Sequence, residues 1–312
     1  MAVYTHIGAE DMATILSEFD VGELVSVKGI AEGVQNSNYL VDTSKARFIL
    51  TVYETQVDVA DLPFFLSLLD HLAEKGCPVP ATIHDRTGSA TSQWQGKSLA
   101  LIEFLPGVSV SHPTPAKARA VGTALAQLHI AATDFPLSRA NSLGLDGWLA
   151  LAAKCGDDLD LIHPGLKARV AEECAYLSHN WPASLPHSVI HADLFPDNVL
   201  MKGDAVGGLI DFYFSCTDIR AWDVAITHAA WSFSDDGSRY DAAVGDALVA
   251  GYESSMPLSA DERAAFAILA RGACLRFLLT RAWDWMNTPA DALVTRKDPI
   301  AFLRRLDHYA AS

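Results

Sequence analysis

The chain has 312 residues, half of them hydrophobic, so it can bury a large core and is long enough for two lobes. Its formal net charge of −15 argues against nucleic acid or an anionic membrane surface as the main partner. The five cysteines are widely spaced, the N-terminal segment lacks the pattern of a signal peptide, and long apolar runs are absent. These features predict reduced thiols and a soluble, cytoplasmic protein.

The N-terminal third predicts a small, mostly β lobe. A helix at 11–19 precedes three β-rich runs at 24–31, 38–41 and 47–53. Between the first two runs, a turn with Gly29 and Gly33 is suited to bring backbone N–H groups close to phosphate oxygens. A helix over 61–75 and a strand over 98–104 follow, and the lobe should end at a Pro-Gly hinge at 106–107.

The remainder of the chain is predicted to be mostly helical. Thr114 and Pro115 are typical of a helix N-terminus, and this helix should run to about His129. Ser259 and Glu262 form a capping-box pattern that starts a long helix toward Trp285. Other helices are predicted at 146–154, 164–180, 218–233, 240–254 and after 299.

A stretch at 191–200, His-Ala-Asp-Leu-Phe-Pro-Asp-Asn-Val-Leu, interrupts these helices. Pro196 disfavours helix at the preceding residue, so Asp193 and Asn198 should lie on a loop. Strands predicted at 199–201 and 208–212 would form a hairpin that brings Asn198 and Asp211 to the same end of two neighbouring strands. Such a pair of oxygen ligands suits Mg²⁺, which takes few protein ligands and shares the rest with phosphates.

The pattern His-x-Asp-x-x-x-x-Asn followed by Asp-Phe resembles the catalytic loop and metal-binding motif of the protein-kinase superfamily. An ordinary protein kinase is excluded, because Ala192 replaces the arginine that receives an activation-loop phosphate. Only eleven residues separate Asp211 from Asp223, which leaves no room for an activation segment. The segments 101–107 and 122–129 are instead similar to small-molecule kinases of the aminoglycoside-phosphotransferase type.

Within that superfamily, the chain most resembles the homoserine kinases of the aminoglycoside-phosphotransferase-like type. The matching segments span nearly the whole chain, at 4–6, 32–39, 50–54, 62–65, 191–200, 211–214, 217–218 and 275–281. The resemblance implies an α+β, protein-kinase-like fold, with a nucleotide-binding lobe at 1–105 and a helical lobe carrying the catalytic loop and acceptor site at 106–312. It also implies ATP-dependent phosphorylation of L-homoserine to O-phospho-L-homoserine for threonine biosynthesis, with Mg²⁺.

The resemblance further implies roles for individual residues. Asp193 would accept or orient the proton of the acceptor hydroxyl, while Asn198 and Asp211 would hold Mg²⁺ on the ATP phosphates. His191 and Asp223 would be structural, His191 by bracing the loop and Asp223 by anchoring its backbone. Residues expected to contact the nucleotide are Gly33, Asn36, Ser37, Asn38, Thr51, Glu103, Phe104 and Leu105.

One position departs from the wider superfamily. The third strand of these kinases normally carries a phosphate-binding Lys or Arg, but this chain has Thr51 there, as do the homoserine kinases of this type. The missing charge would come from Mg²⁺, from loop amides, or from a neighbour such as Lys45 or Arg47. The same departure is the main argument for an alternative, a nucleotide-binding pseudokinase.

The acceptor site is expected to bind a zwitterion. Arginine suits a carboxylate because its planar fork binds it bidentately, which makes Arg276 and Arg281 candidates. Arg276 would equally suit a bracing role on an apolar helix, and Asp218 is a candidate for the ammonium group. A choline, aminoglycoside or sugar-amine acceptor is the other alternative. The sequence leaves oligomeric state and feedback by threonine open.

Overall fold

The computed structural model describes residues 5–30, 36–54, 58–182, 184–288 and 296–311. Its helices are α1 (Ala9–Leu16), α2 (Leu62–Glu74), α3 (Pro115–Ala131), α4 (Leu145–Cys155), α5 (Leu159–Ile162), α6 (Leu166–Asn180), α7 (Arg220–Trp231), α8 (Ala242–Glu253), α9 (Ala260–Ala264), α10 (Phe266–Asn287) and α11 (Ile300–Ala311). Its strands are β1 (Leu24–Ile30), β2 (Ser37–Thr43), β3 (Arg47–Val52), β4 (Thr82–Ile83), β5 (Ser92–Trp94), β6 (Lys97–Glu103), β7 (Val108–Ser109), β8 (His187–Ile190), β9 (Val199–Lys202), β10 (Ala205–Leu209) and β11 (Cys216–Ile219).

The chain divides into two compact units. The first comprises Met1–Gly107 together with Gly208–Tyr213, and the second comprises Val108–Gly207 together with Phe214–Ser312. The short segment that carries Asp211 therefore belongs to the first unit, although it follows most of the catalytic stretch in sequence.

The first unit is built on an antiparallel sheet with strand order β1-β2-β3-β6-β4, and β5 pairs with β6. Because side chains alternate along a strand, β3 presents Leu50 and Val52 to one face and Thr51 to the other. Leu50 and Val52 belong to a buried cluster with Leu99 of β6 and Met12 of α1. This cluster fixes the register of the sheet and leaves Thr51 on the opposite face.

The second unit is mostly helical, and two of its helices approach very closely. A Cβ at Gly122 of α3 would lie 2.0 Å from the Leu248 carbonyl oxygen, and one at Gly251 of α8 would lie 2.1 Å from the Arg119 carbonyl oxygen. Only glycine permits such an approach of two backbones. The capping box at Ser259 is confirmed, but the predicted long helix is interrupted at Ala265 and forms α9 and α10.

Two sequence predictions about the segment from 208 to 220, which carries Asp211, are wrong. The strand predicted over 208–212 ends at Leu209, because Asp211 has a φ of +66°, a left-handed conformation that an extended strand cannot contain. The helix predicted from Asp218 begins at Arg220, because Asp218 lies on β11 and pairs with Ser188 of β8. These short strands carry too few residues to show periodicity in the sequence.

The predicted thiols are confirmed, since all five cysteines are free and four of them are buried. Among the described residues, no helix combines the length and the apolar character needed to cross a membrane.

Candidate active site

The backbone of the loop after β8 is fixed by Asp223, a buried residue of α7. The Asp223 carboxylate accepts hydrogen bonds from the backbone N–H of His191 at 2.7 Å and of Ala192 at 2.8 Å. Ala192 has a φ of +63°, a left-handed conformation that costs a non-glycine residue roughly 1–2 kcal/mol. The two hydrogen bonds offset this cost and hold the chain immediately before Asp193.

Asp223 is itself held by a second buried residue, His129 of α3. His129 Nε2 lies 3.1 Å from the Asp223 carboxylate, and its Nδ1 lies 2.9 Å from the Tyr252 hydroxyl. Burial alone would raise the pKa of Asp223, but hydrogen bonds from His129 and from the His191 backbone outweigh it and lower the pKa. No role for His129 is among the sequence predictions. A histidine on an otherwise apolar helix face was the available signal.

The loop brings two of the predicted functional side chains together. The Asn198 amide nitrogen donates to the Asp193 backbone carbonyl at 2.8 Å and to its carboxylate at 3.2 Å. The Asp193 backbone N–H donates to His191 Nδ1 at 3.2 Å. Asn198 therefore orients the Asp193 side chain, and His191 holds the Asp193 backbone.

Two arginines lie close enough to Asp193 to interact with its charge. Arg276 is only 2% exposed and donates from Nη1 to the Ala192 carbonyl. Burial lowers the pKa of Arg276, and the negative charge of Asp193 opposes this shift. Arg281 donates from Nη1 to the Asp298 carbonyl at 3.3 Å, and its guanidinium lies 4.5 Å from the Phe302 ring centroid.

Burial lowers the pKa of Arg281 to about 10, the charge of Arg305 adds to the shift, and the charge of Asp193 opposes it. Asp218 of β11 accepts from the Asn141 amide at 2.7 Å and from the Ile219 backbone N–H at 2.7 Å. Asp218 also interacts with the charge of Arg276. The three candidate acceptor residues thus lie in the same unit as Asp193.

In the first unit, Asp211 follows β10 and is connected to β3 through Tyr213. The hydroxyls of Tyr213 and Tyr53 lie 3.2 Å apart, and their rings meet edge to face at 5.5 Å. Burial raises the pKa of Tyr213 to about 12, with the charge of Asp211 acting in the same direction, while hydrogen bonding to the hydroxyls of Tyr53 and Thr51 opposes the rise.

The residues predicted to contact nucleotide phosphates divide between the two faces of the sheet. Gly33 lies outside the described residues. Ser37 is buried and donates to the Glu54 carboxylate at 2.7 Å, and Asn36 Oδ1 accepts from the Glu54 backbone N–H at 3.4 Å. On the other face, Asn38 Oδ1 accepts from the Thr51 hydroxyl at 2.8 Å.

The predicted adenine-binding segment lies at the end of β6. Glu103 is the last residue of β6, and the Glu103 backbone N–H donates to the Ala81 carbonyl at 3.0 Å. The Glu103 carboxylate accepts from the Ala81 backbone N–H at 3.2 Å. Phe104 and Leu105 follow β6, outside the hydrogen-bonded part of the strand.

Asn198 and Asp211 both carry side-chain oxygens, the type of ligand that hard divalent cations take. Within the described residues, no group of three or more His, Cys, Asp or Glu side chains is arranged to hold a metal. Mg²⁺ usually takes one or two protein oxygens and completes its shell with water and substrate phosphates.

Comparison with known proteins gives concordant results. The phosphotransferase enzyme family model matches residues 26–258. A homoserine kinase of Azorhizobium caulinodans is 50% identical over the whole of this chain and 97% of its own length. A homoserine kinase of Rhizobium etli is 49% identical over 98% of this chain and 95% of its own.

Solved structures with the same fold are more distant in sequence. An amicoumacin kinase in complex with AMP-PNP, Ca²⁺ and Ami has a TM-score of 0.75 and 13% identity, with 98% of this chain and 94% of that chain covered. A spectinomycin phosphotransferase in complex with ADP and spectinomycin has a TM-score of 0.71 and 12% identity, with 97% and 95% covered. The predicted α+β, protein-kinase-like fold is confirmed.

Proposed function

Because the chain belongs to the phosphotransferase enzyme family and, within it, to the homoserine kinases, we propose that it transfers the γ-phosphoryl group of ATP to the hydroxyl of L-homoserine. The products are ADP and O-phospho-L-homoserine, the latter serving threonine biosynthesis. The observation that carries this proposal is sequence identity of 50% and 49% to two homoserine kinases over essentially the full length of the chains.

Asp193 is the proposed catalytic residue. As the acceptor oxygen forms its bond to the γ-phosphorus, the hydroxyl proton passes to the Asp193 carboxylate and the bond to the ADP oxygen breaks. The contact between the Asn198 amide and that carboxylate fixes its orientation. The hydrogen bonds from His191 and Ala192 to Asp223 fix the backbone that carries it. His191 and Asp223 therefore act as positioning residues.

Asn198 and Asp211 are the proposed protein ligands of Mg²⁺. When bound, the ion neutralises charge on the phosphate oxygens. We assign the nucleotide to the first unit, with Gly33, Asn36, Ser37, Asn38 and Thr51 forming or supporting the phosphate site and the backbone of 103–105 toward the adenine. The buried hydrogen bonds of Asn36 and Ser37 to Glu54 support this role, because they fix the base of the loop before it meets a ligand.

The zwitterionic acceptor is assigned to the second unit. Arg281 is better placed than Arg276 to bind the carboxylate, because the Arg276 guanidinium is buried and already donates to the Ala192 carbonyl. Asp218 remains the proposed partner of the ammonium group. Its hydrogen bond with Asn141 holds the carboxylate in one orientation.

The test is ADP release from ATP and Mg²⁺ across a panel of acceptors, with the Asp193→Asn variant as the blank. We expect turnover with L-homoserine, and a loss of at least ~10²-fold in kcat for Asp193→Asn with nucleotide binding retained. Preferential turnover of choline, an aminoglycoside or a sugar amine would replace the proposed acceptor. Nucleotide binding without transfer to any acceptor would instead indicate a pseudokinase.

A further inference from the structure

The surroundings of Thr51 are defined by its place in the sheet. Its neighbours across the ladder are Asn38 on β2 and Ala100 on β6. Its hydroxyl donates to Asn38 Oδ1 at 2.8 Å and lies near the hydroxyl of Tyr213. Tyr53, two residues along the same face, places its own hydroxyl 3.2 Å from that of Tyr213. Within the described residues, the polar groups found in contact with Thr51 are hydroxyls and an amide, which carry no charge.

The cations that sequence proximity suggested for this position are engaged elsewhere. Lys45 forms an ion pair with Asp20 at 2.6 Å, and Arg47 forms one with Asp42 at 2.6 Å. Arg47 opens β3, so its Cα is four residues, or about 13 Å, from that of Thr51 along an extended strand. Both ion pairs lie at the end of β3 remote from Thr51.

A third cation, Lys97, lies at the correct end of the sheet but on the other face. Its Nζ is 2.5 Å from the Glu54 carboxylate. Lys97 alternates in phase with Leu99 and Leu101, which belong to the cluster on the face opposite Thr51. Lys97 therefore pairs with Glu54 on that opposite face and does not replace a lysine at Thr51.

A hydroxyl group near Thr51 is that of Tyr213, in the segment that carries Asp211. Tyr213 is two residues after Asp211, and its ring contacts Tyr53 of the sheet edge to face at 5.5 Å and Phe65 of α2 at 5.7 Å. Asp211 has a φ of +66°, and a residue in a sparsely populated conformation persists only when its surroundings fix it. Tyr213 is one side chain through which Tyr53, next to β3, and Phe65 of α2 contact this segment.

We propose that the hydroxyls of Thr51, Tyr53 and Tyr213 form a neutral positioning cluster that holds Asp211 for its metal. In this chain the cluster takes the place of a charged residue on the third strand. The inference rests on the proposed role of Asp211 as a Mg²⁺ ligand and extends it. The three residues act through Asp211 and are positioning residues, and the positive charge that faces the phosphates then comes from the metal and from backbone N–H groups.

The first test is Tyr213→Phe, which removes one hydroxyl and keeps the ring. We expect the Mg²⁺ concentration for half-maximal turnover to rise about three- to ten-fold, the scale of one lost hydrogen bond. The affinity for ADP with Mg²⁺, measured by calorimetry without an acceptor, should fall by a similar factor. The KM for homoserine should not change, because the acceptor is assigned to the other unit.

Substitutions at Thr51 separate a hydroxyl from a charge. Thr51→Ser keeps the hydroxyl and should retain the wild-type dependence on Mg²⁺, whereas Thr51→Val should resemble Tyr213→Phe. Thr51→Lys should lower turnover, because Thr51 is only 2% exposed and a longer, charged side chain would have to be buried there. A gain in turnover with Thr51→Lys would show that a charge is missing and would overturn the proposal.

Tyr39→Phe is the matched control. Tyr39 lies in the same sheet on the opposite face, and its hydroxyl accepts from the Ile7 backbone N–H at 3.0 Å and donates to the Thr5 carbonyl. This variant should lower thermal stability and leave the Mg²⁺ dependence unchanged. If Tyr213→Phe behaves as Tyr39→Phe does, the cluster only packs the lobe and the proposal fails.

The two proposals fail separately. Homoserine turnover by the wild type with no effect of Tyr213→Phe would refute the cluster alone. A wild type inactive on homoserine, in which Tyr213→Phe still weakens binding of ADP with Mg²⁺, would refute the acceptor alone and support the cluster.

Discussion

The guanidinium of Arg276 donates a hydrogen bond to the carbonyl of Ala192, the residue before Asp193. The backbone N–H of the same Ala192 donates to Asp223. The left-handed residue is therefore held on its N–H side by α7 and on its carbonyl side by α10. Loss of the Arg276 side chain would leave the buried Ala192 carbonyl without this hydrogen bond. A buried polar group left without a hydrogen bond is destabilising, because its desolvation is no longer compensated.

This contact predicts that Arg276 acts on the rate more than on acceptor binding. Arg276→Lys should lower kcat about ten- to a hundred-fold, the scale for a hydrogen bond to a charged group, with little change in the KM for homoserine. Steady-state kinetics with homoserine as the varied substrate measure both constants. A raised KM with an intact kcat would instead assign Arg276 to the acceptor carboxylate.

Arg271 on the same helix provides the control for that variant. It donates from Nε to the Glu173 carboxylate at 2.7 Å and from Nη2 at 2.9 Å, and within the described residues no hydrogen bond joins it to the catalytic loop. Arg271→Lys loses a bidentate ion pair as well. It should lower thermal stability while leaving kcat and the KM for homoserine close to wild type.

Arg281 should show the opposite kinetic signature. Replacing it with Lys keeps the charge but loses the planar fork, so the KM for homoserine should rise roughly ten- to a hundred-fold with little change for ATP. Homoserine amide, which lacks the carboxylate, should be as poor a substrate for the wild type as homoserine is for the variant. Equal use of the amide and homoserine by the wild type would exclude a carboxylate clamp.

The proposed metal ligands predict a change in the requirement for Mg²⁺. Asp211→Ala and Asn198→Ala each remove an oxygen ligand, so the Mg²⁺ concentration needed for half-maximal turnover should increase as well as kcat falling. Titration of activity with Mg²⁺ at saturating ATP measures this. Reduced activity with an unchanged Mg²⁺ dependence would place either residue in the scaffold instead.

Local signals in the sequence were sufficient for several elements. The Thr114 cap on α3 is confirmed by its hydrogen bond from the Lys117 backbone N–H. The helix predicted over 61–75 is observed as α2, Leu62–Glu74. Caps and amphipathic spacing involve residues within a few positions of each other, so one sequence contains all the information they need.

Features that depend on distant residues were not predictable. His129 and Asp223 are 94 positions apart, and Tyr53 and Tyr213 are 160 apart, so no local pattern relates them. Lys45 and Arg47 are candidates for the missing charge because they are near Thr51 in the chain, but the extended strand places Arg47 far from Thr51. The resemblance implied the chemistry of the loop and the structural roles of His191 and Asp223, whereas the contacts of His129 with Asp223 and of Tyr213 with Tyr53 required the structure.

The close approach of α3 and α8 predicts a marked effect of one methyl group. Gly122→Ala would place a Cβ 2.0 Å from the Leu248 carbonyl oxygen, so the helices must separate, at a cost of about 1–3 kcal/mol for overpacking. Gly144→Ala is the control, because the atom nearest to its Cβ would be 3.5 Å away, on Asn141. Chemical denaturation should show a loss for Gly122→Ala and little for Gly144→Ala; equal losses would contradict this packing.

His228 of α7 predicts how stability depends on pH. It is buried, its Nδ1 lies 2.5 Å from the Tyr309 hydroxyl, and the rings of Tyr240 and Phe266 contact it. Burial lowers the pKa of His228 to about 4, and the charge of nearby His308 acts in the same direction. In the unfolded chain the same group titrates near its ordinary value of about 6.5.

Between these two values the unfolded state binds more protons than the folded state, so stability is complete above about pH 6.5 and is lost as the pH falls toward 4. The loss from His228 should reach about 3 kcal/mol at pH 4. His228→Gln should weaken the pH dependence of the free energy of unfolding, measured by urea denaturation at intervals from pH 7 to pH 4. His112→Gln, which removes an exposed imidazole, should retain it. An unaltered slope in His228→Gln would mean that other groups control acid unfolding.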